Sequence, residues 1–294
     1  MAHVAVVGVG AIGGVLASLL ETTGLHDIAL CTRRVLAALI VKTPDGVVSV
    51  HGRNLTDPNE ARGVDWVVVA TKTYDAAGAG EWLRALTSSG AAVAVVQNGV
   101  EHRERLAPFV ESGRIVPVVI DCPVERDAEG TVVQRGKVTM KVEAGAVGAE
   151  FKELFNGSKV EIELVQDFKT AAWRKLCTNA AGVINALTMK PAGVFHEAAV
   201  AELTLAMVAE VIAVGRAEGA ELDESVGQQV VDMYRGQPKD SVNSLLADKI
   251  AGRRMETDAR NGVIVRLGMK HGIPTPLNRM AVTLLEAGNS QLGR

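Results

Sequence analysis

The stretch HVAVVGVGAIGG, residues 3–14, decides the fold class. It begins as a short apolar, β-branched run and continues with helical spacing, and the turn between carries GxGxxG at Gly8, Gly10 and Gly13. In this pattern the first glycine permits a tight turn, the second lets the backbone approach a pyrophosphate, and the third lets helix and strand pack closely. The pattern predicts a dinucleotide-binding unit. A glycine-rich turn without a ligand is the alternative, which the flanking strand and helix disfavour.

The residues after the turn predict further contacts to the dinucleotide. Ala11 and Ile12 open the helix whose N-terminus would bind the phosphates. The second apolar run ends in Arg33 and Arg34, without the acidic residue that holds the ribose of NAD. Because a guanidinium forms paired charge-assisted bonds with phosphate, the arginines favour NADPH, although one of them could simply be solvated. Lys72 follows the third core strand and would lie at the same edge of the sheet; a surface lysine is equally compatible with its position.

The hydrophobic pattern divides the chain into two halves. In the first half, apolar runs without two-residue alternation are separated by helix-like segments, which is typical of a parallel sheet covered on both faces. These runs lie at residues 28–31, 66–70, 91–96 and 115–120. The second half has an almost wholly helical pattern. We therefore predict an α/β fold with an N-terminal Rossmann-type parallel-sheet domain over residues 1–166 and an all-helical domain over residues 167–294.

Two local predictions refine this organisation. A β-hairpin is predicted around the turn-like pair Arg135-Gly136, with strand-like runs at residues 132–134 and 138–142. Residues 171–187 predict a long, alanine-rich helix.

Composition and charge argue against several function classes. The 294 residues correspond to about two domains, and 31 basic against 34 acidic residues give a net charge of −3, which disfavours a general nucleic-acid binder. No stretch approaches about 18 uninterrupted apolar residues, so no membrane span is expected. Three widely spaced cysteines and an N-terminus without a signal-peptide pattern predict a cytoplasmic protein. The six histidines and three cysteines lack metal-site spacing, so we expect no metal.

Polar residues in the second half are candidates for catalysis. Lys175 and Asn179 are four residues apart and share one face of an otherwise apolar helix. A lysine there either extends to water or is held for chemistry. Ser244 is a further polar candidate, and Glu256 opens another helix, where a carboxylate also interacts favourably with the helix dipole. Asn98, at the end of a strand, either belongs to an Asn-Gly turn or orients the nicotinamide or a substrate oxygen.

Taken together, the motifs of this chain resemble those of the ketopantoate reductase family, and they occur in the family's order. They are GVGAIGG, ATKTYD, QNGVE, WRKLCTN, SLLADKIAGRRMETDARNG and RLGMKHGIPTPLN. The resemblance implies a Rossmann domain followed by a helical domain, and NADPH-dependent reduction of a 2-keto acid in pantothenate synthesis. It further implies that Lys175 is the general acid, with Glu256 beside it in the catalytic site. Asn98 and Asn179 would lie beside substrate and nicotinamide, and Ser244 and Glu256 would bind the substrate.

The chain departs from the family pattern at one position. The family has a second asparagine eight residues after the lysine, followed by Leu-Thr, whereas this chain has Val183 there and its next asparagine is Asn185. On an unbroken helix, Asn185 would lie about 80° from the face of Lys175. It would reach the site only if the helix were distorted, with Gly182 the candidate position.

The sequence therefore predicts a reductase and leaves its exact substrate open. Reduction of 2-dehydropantoate is the first expectation. The alternatives are a reductase of a different 2-keto acid on the same scaffold and a non-catalytic NADPH-binding sensor. We expect a small-molecule substrate, with neither nucleic acid nor membrane as partner, and the apolar helical half is compatible with a homodimer.

Overall fold

In the computed structural model the chain divides into two units. Unit 1 comprises residues 1–97 and 101–168, and unit 2 comprises residues 98–100 and the chain from Lys169 onward. The short segment 98–100 thus belongs to unit 2, although unit 1 flanks it on both sides in the sequence. The described residues are 1–61, 63–127 and 130–289.

The described part of unit 1 contains the strands and four α-helices. The strands are β1 (Ala2–Val7), β2 (His26–Cys31), β3 (Leu39–Thr43), β4 (Gly46–Val50), β5 (Arg53–Leu55), β6 (Trp66–Val69), β7 (Ala92–Val95), β8 (Ile115–Asp121), β9 (Val124–Arg126), β10 (Val132–Gln134), β11 (Val138–Glu143) and β12 (Val160–Val165). The helices are α1 (Ala11–Thr23), α2 (Ala76–Leu86), α3 (His102–Leu106) and α4 (Ala146–Glu153). Single 3₁₀ turns lie at Pro58–Glu60, Thr73–Asp75 and Ser112–Arg114.

A largely parallel sheet forms the centre of unit 1. Eight of the described strands lie in the order β12-β11-β8-β7-β6-β1-β2-β5, and β8–β11 is the antiparallel pair among them. Residues alternate between two cores along β1, with Val4 and Val6 in one and Ala5 and Val7 in the other. Helix α1 covers the first core and α2 the second. The predicted fold class is confirmed, and burial on both faces explains why the strands lack alternation.

The predicted hairpin at residues 132–142 is wrong. β10 pairs with β3 and β9 in a separate four-stranded sheet of order β4-β3-β10-β9, whereas β11 joins the large sheet between β8 and β12. Val132 is fully buried beside Gly14 of α1, while Met140 packs in the core of the large sheet. Burial against these different partners outweighs the local turn signal at Arg135-Gly136.

The chain beyond the large sheet is helical, as predicted. Its helices are α5 (Phe168–Ala181), α6 (Val183–Thr188), α7 (Ala198–Ala217), α8 (Ser225–Arg235), α9 (Ser244–Ile250), α10 (Val263–His271) and α11 (Pro276–Asn289). A 3₁₀ segment at Ala192–His196 precedes α7, and a π-helical segment at Asp258–Gly262 runs directly into α10. These elements surround one apolar core, to which Trp173, Met207 and Val211 contribute.

Helix α7 is the most apolar element of unit 2. By length and composition alone it could cross a membrane, and 44% of its most apolar window is buried inside the protein. Its buried residues, among them Met207, Val208 and Val211, belong to the core of unit 2. Such burial is characteristic of the central helix of a helical domain.

Candidate active site

The glycine-rich turn of unit 1 has the geometry that a dinucleotide phosphate requires. Gly8 has φ +91°, and a Cβ atom there would lie 2.6 Å from the backbone nitrogen of Thr71. A Cβ atom on Gly13 would lie 2.2 Å from the carbonyl oxygen of Gly8, so the helix lies closer to the turn than alanine would allow. At Gly10, in contrast, a Cβ atom would meet no described residue within 4 Å apart from its neighbours in the chain. The open space at Gly10 is what a phosphate group needs.

Helix α1 begins at Ala11 and Ile12, immediately after this turn. Within the described chain no side chain caps its N-terminus. The first N–H groups of a helix have no partner inside the helix, and the helix dipole adds partial positive charge there. The residues present therefore fit the pyrophosphate of a dinucleotide.

Two exposed arginines follow β2. Arg33 lies 4.0 Å from a carboxylate oxygen of Asp75, and its side chain keeps 89% of its surface exposed. The hydroxyl of Thr32 donates a 2.7 Å hydrogen bond to the carbonyl oxygen of Arg34, which fixes the turn that carries both guanidinium groups. Because neither arginine forms a buried ion pair with any residue in the described part of the chain, both guanidinium groups are accessible to a phosphate.

Lys72 is half-buried in the loop after β6. The preceding residue, Thr71, packs against Gly8, and its carbonyl and hydroxyl oxygens each accept a 2.9 Å hydrogen bond from Nε2 of Gln97 after β7. Since β1, β6 and β7 are neighbouring parallel strands, these loops lie at one edge of the sheet, where the sequence predicts ligand contacts.

Unit 2 contains a buried polar cluster formed by Asn98, Asn179, Ser244, Glu256 and Arg260. The side-chain nitrogen of Asn98 donates to Oε2 of Glu256 at 3.1 Å, and its oxygen accepts from Nδ2 of Asn179 at 3.3 Å. Glu256 is 4% exposed and Asn179 is 9% exposed, so both polar groups are largely withdrawn from water. The structure thus brings together three residues that lie far apart in the sequence.

Gly99 explains how Asn98 reaches this cluster. It has φ +106°, and a Cβ atom there would lie 2.9 Å from the carbonyl oxygen of Ala259 in the π-helical segment. Only glycine permits both this backbone angle and this close approach. The Asn-Gly pair therefore forms a turn and also presents the Asn98 amide, so the two interpretations of the sequence are compatible.

Arg260 joins Ser244 to the cluster, and the sequence analysis missed it. Its Nη2 donates to Oγ of Ser244 at 2.7 Å, and its Nη1 lies 3.5 Å from the carbonyl oxygen of Asn179. Arg260 is 4% exposed. It belongs to the π-helical segment Asp258–Gly262, and such segments occur frequently at functional sites. Because helical periodicity does not reveal a π-helix, nothing in the spacing of Arg260 among the polar residues Glu256, Asp258 and Asn261 singled it out.

Lys175 lies on α5, one helical turn before Asn179. Its side chain is half-buried, whereas neighbouring Leu176 and Cys177 point into the apolar core. The predicted common face of Lys175 and Asn179 therefore exists, and it is the polar face of α5.

The predicted long helix over residues 171–187 is interrupted at Gly182, between α5 and α6. Asn185, after this break, is 1% exposed; its Nδ2 donates to the carbonyl oxygen of Lys190, and its Oδ1 accepts a 2.8 Å bond from Asn243. Asn243 caps α9 by accepting from the backbone N–H of Leu246. Asn185 therefore supports the helix that begins at Ser244. Val183 is fully buried in the apolar core.

Burial shifts the pKa of several other groups. It lowers the pKa of His102 to about 4, and the ring nitrogen Nε2 of this residue lies 3.1 Å from the carbonyl oxygen of Gln97. Burial raises the pKa of Tyr234 to about 12, and its hydroxyl donates to the carbonyl oxygen of Thr178 on α5.

The three cysteines have free thiols whose pKa burial raises to about 12, so they are not nucleophiles at neutral pH. Among the described residues no group of His, Cys, Asp and Glu could hold a metal ion.

Comparison with known sequences shows similarity along nearly the whole chain. Residues 4–146 match the family profile described as "Ketopantoate reductase PanE/ApbA", and residues 167–289 match its C-terminal counterpart. A 2-dehydropantoate 2-reductase of Caulobacter vibrioides is 47% identical over 290 residues, covering 98% of this chain and 99% of that protein. One of Mycobacterium tuberculosis is 38% identical over 293 residues, covering 99% of each.

Solved structures show the same architecture. A ketopantoate reductase of this family from Ralstonia eutropha JMP134 superposes with a TM-score of 0.90 at 28% identity, covering 99% of this chain and 100% of that one. A D-mandelate dehydrogenase, solved with NADH and anilino(oxo)acetate, also gives a TM-score of 0.90, at 18% identity and with 99% of this chain and 100% of that chain covered. At 18% identity, the similarity to the D-mandelate dehydrogenase shows a shared fold only.

Proposed function

This chain belongs to the ketopantoate reductase family, and from that premise we propose that it reduces 2-dehydropantoate to pantoate with NADPH. The observation that carries the proposal is the polar cluster of unit 2, in which Asn98, Asn179 and Glu256 are joined by hydrogen bonds. Lys175 lies one helical turn from Asn179. A cluster with a carboxylate and amides, one helical turn from an ammonium group, can hold both the hydroxyl and the carbonyl oxygen of a keto acid.

The cofactor assignment rests on unit 1. The reduced nicotinamide of NADPH supplies the hydride when bound. We propose that Gly8, Gly10 and Gly13 with the N-terminus of α1 bind the pyrophosphate, and that Arg33 and Arg34 bind the 2′-phosphate. The open space at Gly10 and the exposure of both guanidinium groups support this assignment. Lys72, at the same edge of the sheet, would add a further positive charge.

Lys175 is proposed as the proton donor. Reduction of a carbonyl carbon places negative charge on its oxygen, and a positioned ammonium group both stabilises that charge and delivers a proton. Asn179 and Asn98 donate to substrate or nicotinamide oxygens, since an amide is both donor and acceptor. The carboxylate of Glu256, already oriented by Asn98, accepts from a substrate hydroxyl, and Ser244 donates to a substrate oxygen.

A kinetic experiment tests the proposal. The purified protein is assayed with NADPH against 2-dehydropantoate and a panel of other 2-keto acids. Lys175→Ala should lower kcat about 10²- to 10⁴-fold while NADPH binding stays intact, because the proton donor is removed and the residues proposed to bind the cofactor phosphates are unchanged. Glu256→Ala should act mainly by raising KM, with a smaller fall in kcat. If Lys175→Ala retained a near wild-type kcat, the proposed proton donor would be wrong.

The same assay distinguishes the alternative functions. Val183 replaces an asparagine of the family pattern and lies in the apolar core, while Asn185 bonds to Asn243. This local change favours, as a second candidate, reduction of a 2-keto acid other than 2-dehydropantoate. A higher kcat/KM for another member of the panel would support that candidate. NADPH binding without turnover of any panel member would instead indicate a non-catalytic sensor.

We further propose that the protein is a cytoplasmic homodimer. The free thiols fit a reducing compartment. Unit 2 exposes apolar side chains, including Met280 and Leu284 on α11, which a second copy could cover. Sedimentation equilibrium of the full chain gives the mass directly, and a monomer at micromolar concentration would contradict the dimer.

A further inference from the structure

Arg260 is a buried cation without a carboxylate partner among the described residues. It is 4% exposed, and its hydrogen bonds go to a hydroxyl and a carbonyl oxygen, those of Ser244 and Asn179. Its Nε has no hydrogen-bond partner in the described chain. Arginine keeps its proton even when buried, and an uncompensated charge in the interior is costly. An anion that binds beside the guanidinium would supply the missing partner.

Ser244 is oriented by this arginine. Because Nη2 of Arg260 donates to Oγ of Ser244, the serine hydroxyl is an acceptor in that bond and its own proton stays available for another acceptor. The neighbouring residue Asn243 also fixes the position of Ser244. Asn243 caps helix α9, which begins at Ser244, and is hydrogen-bonded to Asn185. A hydroxyl donor and guanidinium N–H donors thus come together at one end of the polar cluster.

The other end of the cluster has the opposite character. There Glu256, an acceptor, is bonded to the Asn98 amide. The cluster therefore has a cationic, donor-rich end at Arg260 and Ser244 and an anionic, acceptor-rich end at Glu256. A ligand that carries a carboxylate at one end and a hydroxyl at the other is complementary to both ends.

We propose that Arg260 is a specificity-determining residue that binds the carboxylate of the keto acid together with Ser244, an inference that rests on the function proposed above. The guanidinium donates to the carboxylate, and Ser244 completes the subsite with its hydroxyl proton. Buried charge-assisted bonds of this kind discriminate strongly against an uncharged analogue, because that analogue leaves the cation unpaired. Arg260 thereby selects acids over neutral carbonyl compounds.

The test compares a charged substrate with its uncharged isostere. Wild type, Arg260→Met and Arg260→Lys are assayed with NADPH against 2-dehydropantoate and its amide. Arg266→Met, at an exposed arginine on α10 that is ion-paired with Asp258, is the matched control. We expect the wild type and the control to have a higher kcat/KM for the acid than for the amide. In Arg260→Met this ratio should fall about 10- to 100-fold, because the KM for the acid rises. Arg260→Lys should retain part of the preference for the acid, because lysine keeps the positive charge but lacks the planar guanidinium group that donates two parallel hydrogen bonds.

Stability separates this role from a purely structural one. Arg260→Met removes a costly buried charge together with the hydrogen bonds to Ser244 and Asn179, and because these two effects oppose each other the Tm should change little. An equal loss of acid and amide turnover, or an unchanged acid preference in folded Arg260→Met, would overturn the inference. If the wild type reduced neither compound nor any other 2-keto acid, the proposed function itself would fail. Wild-type turnover and the preference of the variant thus report separately on the two proposals.

Discussion

Alanine substitutions at two glycines of the same turn, Gly10 and Gly13, should have different effects, one on cofactor binding and the other on stability. At Gly13 an added Cβ atom would lie 2.2 Å from the carbonyl oxygen of Gly8, about 1 Å inside ordinary contact, so α1 would have to shift from the turn. At Gly10 the added Cβ atom would meet, among the residues that the structure describes, only its chain neighbours within 4 Å, and φ is −82°, which alanine adopts without strain. The first substitution therefore perturbs folding, and the second perturbs mainly the space for a ligand.

The expected magnitudes follow from these contacts. Overpacking of a rigid contact typically costs about 1–3 kcal/mol, so Gly13→Ala should lower the free energy of unfolding by that amount. Gly10→Ala should cost less, about 0.5 kcal/mol, which is the penalty expected for alanine at the N-cap position of α1. Because the methyl group would occupy the space proposed for the pyrophosphate, Gly10→Ala should raise the Kd of NADPH at least about tenfold, which is about 1.4 kcal/mol.

Urea unfolding and fluorescence titration with NADPH on the same preparations measure both quantities. Gly78→Ala is the control, because it also adds one methyl group with no other residue within 4 Å, but in α2. It should stabilise the protein by about 0.5–1 kcal/mol through helix propensity and leave NADPH binding unchanged. Wild-type NADPH affinity in Gly10→Ala would show that the pyrophosphate does not lie over this glycine. Wild-type stability in Gly13→Ala would refute the packing argument.

The remaining predictions concern the cofactor, acid stability and the altered helix. NADPH should be preferred over NADH at least about tenfold in kcat/KM, and Arg33→Ala or Arg34→Ala should weaken NADPH alone; equal kcat/KM values in wild type would contradict this. The folded-state pKa of His102 is lowered to about 4 by burial, against an unfolded value near 6.5, so the unfolded state binds more protons between these values. Stability should therefore fall as pH drops from about 6.5 to 4, and urea unfolding of His102→Gln should show a flatter profile in that window. Val183→Asn should destabilise the protein by about 1–3 kcal/mol without raising kcat/KM, since it places an amide in an apolar core; a gain in kcat/KM would show that an asparagine there serves the substrate.

The sequence predicted the architecture because the informative signals were local. The strand, glycine turn and helix of residues 3–14 are contiguous, and continuous apolar runs such as Trp66–Val69 identify strands buried on both faces. The failed hairpin shows the limit of local signals. β10 and β11 each have strong β propensity and flank a plausible turn, but β10 pairs with β9 and the distant β3, whereas β11 pairs with β8 and β12. The hydrophobic pattern of a strand does not show which other strand it pairs with.

The polar cluster was predictable only in part. Asn179 was singled out on an otherwise apolar helix, Ser244 and Glu256 as further polar candidates, and all three by the family motifs. The structure joins each of them to the cluster through hydrogen bonds made by Asn98 or Arg260. Neither spacing nor propensity could predict those bonds, because they depend on a glycine turn docking against a π-helical segment. Arg260 was missed for the same reason.

The contrast between Val183 and Arg260 bears on how specificity arises in this chain. A comparison of motifs detects what is missing, here the asparagine replaced by Val183, and it directs attention to a lost contact. The structure shows that Val183 is buried in the apolar core and that the amide of Asn185 is already hydrogen-bonded to Lys190 and Asn243. Arg260, in contrast, adds a charge that the described residues do not neutralise. Because an unpaired buried charge affects ligand selection more strongly than a missing neutral hydrogen bond, the anionic end of the substrate should determine specificity here.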